Sequence, residues 1–297
     1  MLQDSGDPAS VPETSTTVEE PIAPKPPEGL DLGTATGVTL GLGLFWAIAM
    51  KWSRPHWRAG AARESAIGTD SWTLPDLLAA FLVFFFGQII GAAVISPITE
   101  LRYWQVLSAM LFGGVLSAGF IGLVVRRKYL ASWAELGIDR AKRPFRDLTL
   151  CLTVSIGLML FFIPGLVVFC EWLLELVVDD GQSDIRGWLI RQDSIPGIPS
   201  GSEGWALRIS AIVLAPIFEE LLFRGFAIEV LGRRFGPWPA LWISSAVFAF
   251  VHGEAFIPLF ALGLAFGWLY IWRGNLLLPI AAHFFNNFLT ITLLAEQ

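Results

Sequence analysis

The chain has 297 residues, of which 54% are apolar and 15% charged, with 13 Trp, 23 Phe and a mean hydropathy of +0.61. Soluble domains carry about 25% charged residues, so this composition excludes an ordinary soluble globular protein and points to an all-α, polytopic bundle of membrane helices. The net charge of -6 is local: the first 33 residues hold seven acids against Lys25, and the remainder balances 19 acids with 19 bases, leaving no basic field for nucleic acid.

Three regions are expected. Residues 1–33 form a Pro-rich acidic tail that buries too little apolar surface to offset its ordering entropy, and it has neither the basic nor the apolar region of a cleavable secretory signal. Residues 34–200 carry the N-terminal transmembrane helices and loops. Residues 201–297 carry a separate membrane core. Apolar runs at 34–50, 74–96, 104–125, 148–170, 205–231, 238–252, 257–272 and 276–294 predict about eight transmembrane helices, the last four joined by tight turns.

Several features along these runs are structural. Gly87 with Gly91, and Gly263 with Gly267, have the spacing that lets helices approach closely. Cys151 and Cys170 fall on one predicted helix about 28 Å apart and cannot bridge. Trp46, Trp52, Trp57, Trp72, Trp104, Trp205, Trp238 and Trp272 lie near helix ends, as interfacial anchors do. Lys51, Arg54, Arg58 and Arg63 follow the first run, Arg126, Arg127, Lys128, Arg140, Lys142, Arg143 and Arg146 the third, and Arg233 and Arg234 the fifth. The positive-inside rule then places those loops in the cytoplasm and the acidic tail and C-terminus outside.

The run 205–231 contains FEELLFRG, two carboxylates and a guanidinium where each charge costs about 2.5 to 3.5 kcal/mol at a helix centre. Intramembrane ionisable groups usually face the bundle interior and mark function. Glu220 and Arg224 are i and i+4 with the acid first, the favourable order for a helical ion pair. Glu219 points about 100° away and has no cation on its own helix. An apolar surround makes such a carboxylate a better proton acceptor near neutral pH. If RRFGP at 233–237 turns the chain, Glu219 and His252 return to similar depth and can share one water. On the last run, His283 and Asn287 stack one turn apart, a donor pair able to hold a developing oxyanion. The simpler alternatives are helix locking by the ion pair, capping by His252 and interhelical hydrogen bonding by His283 and Asn287.

Together EELLFR, FAFVH and HFFNN resemble the three motifs of the CPBP family of intramembrane proteases, which includes type II CAAX prenyl endopeptidases and bacteriocin-processing or immunity proteins. The motifs EExxxR, FxxxH and HxxxN are matched by Glu219, Glu220, Arg224, Phe248, His252, His283 and Asn287. The resemblance implies an all-helical, membrane-embedded endopeptidase, in the cell membrane if the source is bacterial, acting on membrane-associated, lipidated or unmodified peptides. It implies that Glu219 with His252 activates water, that His283 with Asn287 stabilises the oxyanion, and that Glu220 and Arg224 hold their helix. Family members are often called metalloproteases, and Glu219, His252 and His283 could ligate zinc with one position open. A carboxylate spent as a ligand is a poorer base and no HExxH supplies another, which favours the metal-free version. A proton relay or transporter built on the same cluster lacks inverted repeats. A non-catalytic scaffold does not require every motif position to be intact. No motif addresses oligomeric state.

Overall fold

The computed structural model describes residues 73–98, 101–129, 132–138, 144–177, 188–189, 199, 201–253 and 255–293. The acidic tail, the expected helix at 34–50, the basic loop after it and Trp46, Trp52, Trp57 and Trp72 lie outside the described residues. Among those described the fold is helical without strands, and seven rods dominate it. Helix α1 is Leu74–Ile95 and α2 is Arg102–Lys128; α3 runs Pro144–Gly157, Leu158–Phe162 and Ile163–Val177 without a break. Helix α4 is likewise continuous through Gly201–Arg208, Ile209–Leu214, Ala215–Glu220, Leu221–Ala227 and Ile228–Phe235, and α5 is Pro237–Val251, α6 Phe256–Arg273 and α7 Leu277–Leu293.

Four helices, α1, α2, α3 and α6, are long and apolar enough to cross a bilayer, whereas α5 and α7 are shorter and α4 carries the buried charges. The expectation of about eight spans is thus met in part. Helices α2, α3, α4 and α6 run past the apolar stretches that announced them, because helices continue into polar ends that hydropathy does not register. Leu78, Leu82, Phe86, Ile89 and Ile90 of α1 are exposed along one stripe, the arrangement of a helix facing lipid. Several apolar helices of this kind make the chain a multi-pass integral membrane protein.

The glycine pairs act as packing contacts. A Cβ on Gly87 would stand 2.7 Å from the Gly113 Cα, and one on Gly91 2.6 Å from the Ser108 carbonyl, so α1 and α2 meet backbone to backbone. The Ser108 hydroxyl donates to the Gly91 carbonyl at 2.8 Å in the same seam. Gly263 and Gly267 let α6 approach α5 closely too, Gly263 against Ser245 and Gly267 against the side chain of Leu241. At one end, Asp76 of α1 accepts from Lys128 at 2.6 Å and from the Tyr129 hydroxyl at 2.5 Å, which ties the start of α1 to the end of α2. Burial and the neighbouring carboxylate together push the Tyr129 phenol well above its usual range. Cys151 and Cys170 are free and buried, as their separation required.

Val124–Lys128 ends α2 as a π turn, and two of the three π-helical stretches inside the other long rods have a common cause. Leu158–Phe162 precedes Pro164 and Ile209–Leu214 precedes Pro216. Proline donates no amide hydrogen and its ring crowds the carbonyl four residues back, which widening the turn relieves. The third, Leu221–Ala227, contains no proline and carries Arg224. Between α4 and α5 the chain reverses at Gly236, whose φ of 88° suits glycine. That is the turn the RRFGP stretch predicts.

Candidate active site

Helix α4 delivers both carboxylates to the bundle interior, but their surroundings differ. Glu220 is fully buried and holds two partners: its Oε2 lies 3.2 Å from Arg224 Nε and its Oε1 is 2.9 Å from His283 Nδ1. The first contact is the i, i+4 pair the spacing predicts. The second crosses to α7 and was not legible, because nothing in the sequence says which carboxylate of a Glu-Glu pair faces a histidine 63 residues away. Arg224 is itself buried, donates through Nη2 to the Gly263 carbonyl at 3.3 Å and lies 4.5 Å from the centre of the Phe248 ring. Its Nη1 has no hydrogen-bond acceptor among the described residues, so the aromatic faces of Phe248, Phe223 and Phe266 take the place of solvent around the guanidinium.

Glu219 is buried at 8% exposure and makes no hydrogen bond or ion pair among the described residues. The charged groups close enough to act on it are His283, Glu220 and Arg224. One carboxylate is therefore engaged by a hydrogen bond at Oε1 and an ion pair at Oε2, the latter short of a hydrogen bond, and the adjacent one has neither among the described residues. The i, i+4 pairing of Glu220 with Arg224 is the one the helical spacing predicts.

His252 caps α5 and is exposed there, its Nδ1 2.6 Å from the Phe248 carbonyl. A carbonyl only accepts, so Nδ1 carries the hydrogen and Nε2 of the neutral ring is an acceptor. The two imidazoles flank one phenyl group: Phe248 has its centre 4.6 Å from that of His252 and 6.1 Å from that of His283. Phe266 stacks on the other side of His283 at 5.1 Å. This explains why FxxxH is more than spacing, since the aromatic residue separates and orients both rings. No direct hydrogen bond joins Glu219 to His252 among the described residues.

Asn287 donates from Nδ2 to the Ala211 carbonyl at 2.8 Å, across from α7 to α4. The π turn before Pro216 creates the acceptor. The Ala215 amide bonds the Ser210 carbonyl instead of that of Ala211, and the residue after it is a proline with no amide hydrogen to give. Ala211 is left with a free carbonyl, and Asn287 supplies its donor. The amide keeps one N–H and its oxygen. His283, with Nδ1 donating to Glu220, has Nε2 as an acceptor when neutral and as a second donor when charged. Each member of the expected oxyanion pair is thus anchored through one atom and retains another.

The zinc-ligand expectation for Glu219, His252 and His283 does not fit this arrangement. Among the described residues no group of three or more His, Cys, Asp or Glu side chains could hold a metal ion.

Residues 201–289 match the family described as type II CAAX prenyl endopeptidase, Rce1-like. The resemblance drawn from the three motifs holds over that segment, which contains every site residue above. The chain is also similar to YpbD of Bacillus subtilis (strain 168), described as an uncharacterised protein, at 32% identity over 120 residues, which is 38% of this chain and 53% of that relative. The chain thus spans about half the length of the relative it matches. No solved structure matches it.

Proposed function

We propose that the chain is an intramembrane endopeptidase of the CAAX-processing type, which hydrolyses a peptide bond in a membrane-associated protein or peptide substrate. The observation that carries this reading is the contrast between two adjacent buried carboxylates, Glu220 paired with Arg224 and His283 and Glu219 unpaired among the described residues. A purely structural ion network has no use for a second, unpartnered acid in an apolar interior.

The chemistry follows from the acceptor atoms that remain. A water donating one hydrogen to Glu219 and one to Nε2 of His252 presents its lone pairs to a substrate carbonyl. As its oxygen bonds the carbonyl carbon, Glu219 takes the proton and the carbonyl oxygen becomes an oxyanion. His283, stabilised as a cation by the Glu220 carboxylate behind it, donates from Nε2 to that oxyanion, with the free N–H of Asn287 as second donor. When the C–N bond breaks, the proton on Glu219 passes to the leaving amine, restoring the carboxylate. Glu220 and Arg224 are positioning residues here. No step in this sequence requires a metal ligand.

The test uses the full chain in vesicles with a membrane-anchored peptide substrate, lipidated and unmodified forms in parallel. Glu219→Gln and His252→Ala are expected to abolish cleavage while the protein inserts and accumulates as wild type does. Retained cleavage in either variant removes the proposal. Proton flux across the vesicle lost with Glu219→Gln, in the absence of any proteolysis, points instead to a relay.

A further inference from the structure

Away from the candidate active site, a cleft of about 510 Å³ opens on the side of α2 where that helix ends. Its walls are Gly119, Gly122 and Leu123, with Trp133 from the short turn Trp133–Leu136 behind and Arg126 and Arg127 at the mouth. Three features of these residues shape the cleft. A Cβ added to Gly119 would meet nothing within 4 Å, so this glycine borders open space and not a neighbouring helix. At Gly122 the Cβ would come 2.6 Å from Trp133 Cζ2, so the missing side chain lets the indole close the back of the cleft. Arg126 and Arg127 are exposed and form no ion pair among the described residues, while Lys128 beside them is held by Asp76 at 2.6 Å.

The charge and polarity of the cleft define its ligand. Among the described residues that line it there is no carboxylate, and two adjacent guanidinium groups supply the only charge. The membrane-spanning stretch of α2 ends at Lys128, so the arginines stand at the boundary between hydrocarbon and headgroups. Below them the same helix exposes Leu123, Leu116 and Val115, an apolar track along which acyl chains can lie. An aromatic ring at headgroup level, basic groups above and an apolar groove beneath match one molecule, a phospholipid with an anionic headgroup. Arginine suits it because the planar fork binds phosphate oxygens in pairs.

We infer that this cleft is a binding site for a single anionic phospholipid, with the phosphate between Arg126 and Arg127 and the glycerol and upper acyl chain against Gly119, Gly122 and Trp133. A soluble phosphate compound shares the headgroup chemistry but leaves the apolar floor and track empty. The assignment is independent of the protease reading.

The experiment follows thermal unfolding of the full chain in uncharged detergent micelles titrated with phosphatidylglycerol, phosphatidylcholine or glycerol 3-phosphate, since a ligand of the folded state raises the midpoint. Phosphatidylglycerol is expected to raise it saturably and the other two are not. Arg126→Gln combined with Arg127→Gln is expected to shift saturation to lipid concentrations on the order of tenfold higher or more. Gly119→Leu keeps the charge but fills the cleft, and is expected to remove the response, whereas Arg146→Gln on α3 is expected to leave it intact. Equal responses to the two lipids, a full response in Gly119→Leu, or an equal response to glycerol 3-phosphate each overturns the assignment. Should one variant show no cooperative transition, the other carries the test alone.

Discussion

Glu219 and Glu220 are neighbours of identical chemistry, and the structure gives them opposite responses to the same substitution. Glutamine keeps the shape of the side chain and removes its charge. At Glu220 this leaves the Arg224 guanidinium, 1% exposed, without the carboxylate 3.2 Å from its Nε, and leaves His283 Nδ1 facing an amide that can turn either its oxygen or its nitrogen toward it. Removing one partner of a buried ion pair costs about 3 to 5 kcal/mol. Within a membrane the unfolded reference also finds polar partners, which brings the figure toward the lower end, about 3 kcal/mol. At Glu219 the same change breaks no hydrogen bond and no ion pair among the described residues, and it relieves the burial of an unpaired charge. Glu219→Gln is therefore expected to match or exceed wild type in stability. The measurement is reversible unfolding of each variant in the same lipid or detergent, with cleavage of a membrane-anchored peptide followed alongside. Glu220→Gln should lose stability and activity together, Glu219→Gln activity alone. Equal loss of stability in both variants would refute the inequality between the two acids, and with it the reason for choosing Glu219 as the base.

Other predictions test the supports of the site. Asn287→Ala should cost about 0.6 to 1.7 kcal/mol in unfolding measurements by stranding the Ala211 carbonyl. Asn287→Asp should be worse than alanine there, because it sets an acceptor against an acceptor. Gly114→Ala drives a methyl group into the ring of Phe218, the residue beside Glu219, and should cost about 1 to 3 kcal/mol while lowering kcat although it touches no reacting group. Phe248→Leu removes the ring between His252 and His283 and the aromatic face over Arg224. It should destabilise by about 1 kcal/mol or more and depress cleavage further than Gly263→Ala does. Dialysis against a strong chelator, followed by metal analysis and assay, should leave cleavage unchanged; loss restored by zinc overturns the metal-free sequence of steps.

How much of this was written in the sequence depends on the range of the interaction. The rods of α1, α2, α6 and α7 were readable within a few residues, because a bilayer demands long apolar helices and closes off other folds for an exposed backbone. Local spacing was equally informative: the Glu220–Arg224 pair, the Gly236 turn and the glycine seams follow from geometry within one or two turns. Contacts between helices were not readable, since a period of 3.6 fixes which residues share a face and leaves the facing partner open. The Glu220–His283 contact belongs to this class. So does the bond from Asn287 to Ala211, although its cause was visible in one letter.

That letter is Pro216, and it links the irregular backbone to the chemistry. A regular α4 would consume the Ala211 carbonyl internally and give Asn287 nothing to hold. The proline, three residues before Glu219, crowds the Ile212 carbonyl and widens the turn, which shifts the Ala215 amide to Ser210 and lets α4 offer a backbone acceptor to α7 in the same stretch that offers it a carboxylate. Helix α7 is then pinned to α4 at two levels one turn apart, His283 on Glu220 and Asn287 on Ala211. Two anchors fix the rotation of a helix where one would leave it free to swivel. Pro216→Ala therefore makes a discriminating variant: by propensity it should strengthen α4. Yet by restoring the Ala215 amide to the Ala211 carbonyl it should free the Asn287 side chain and reduce cleavage. A variant that is both more stable and fully active would show that the second anchor has no part in the reaction.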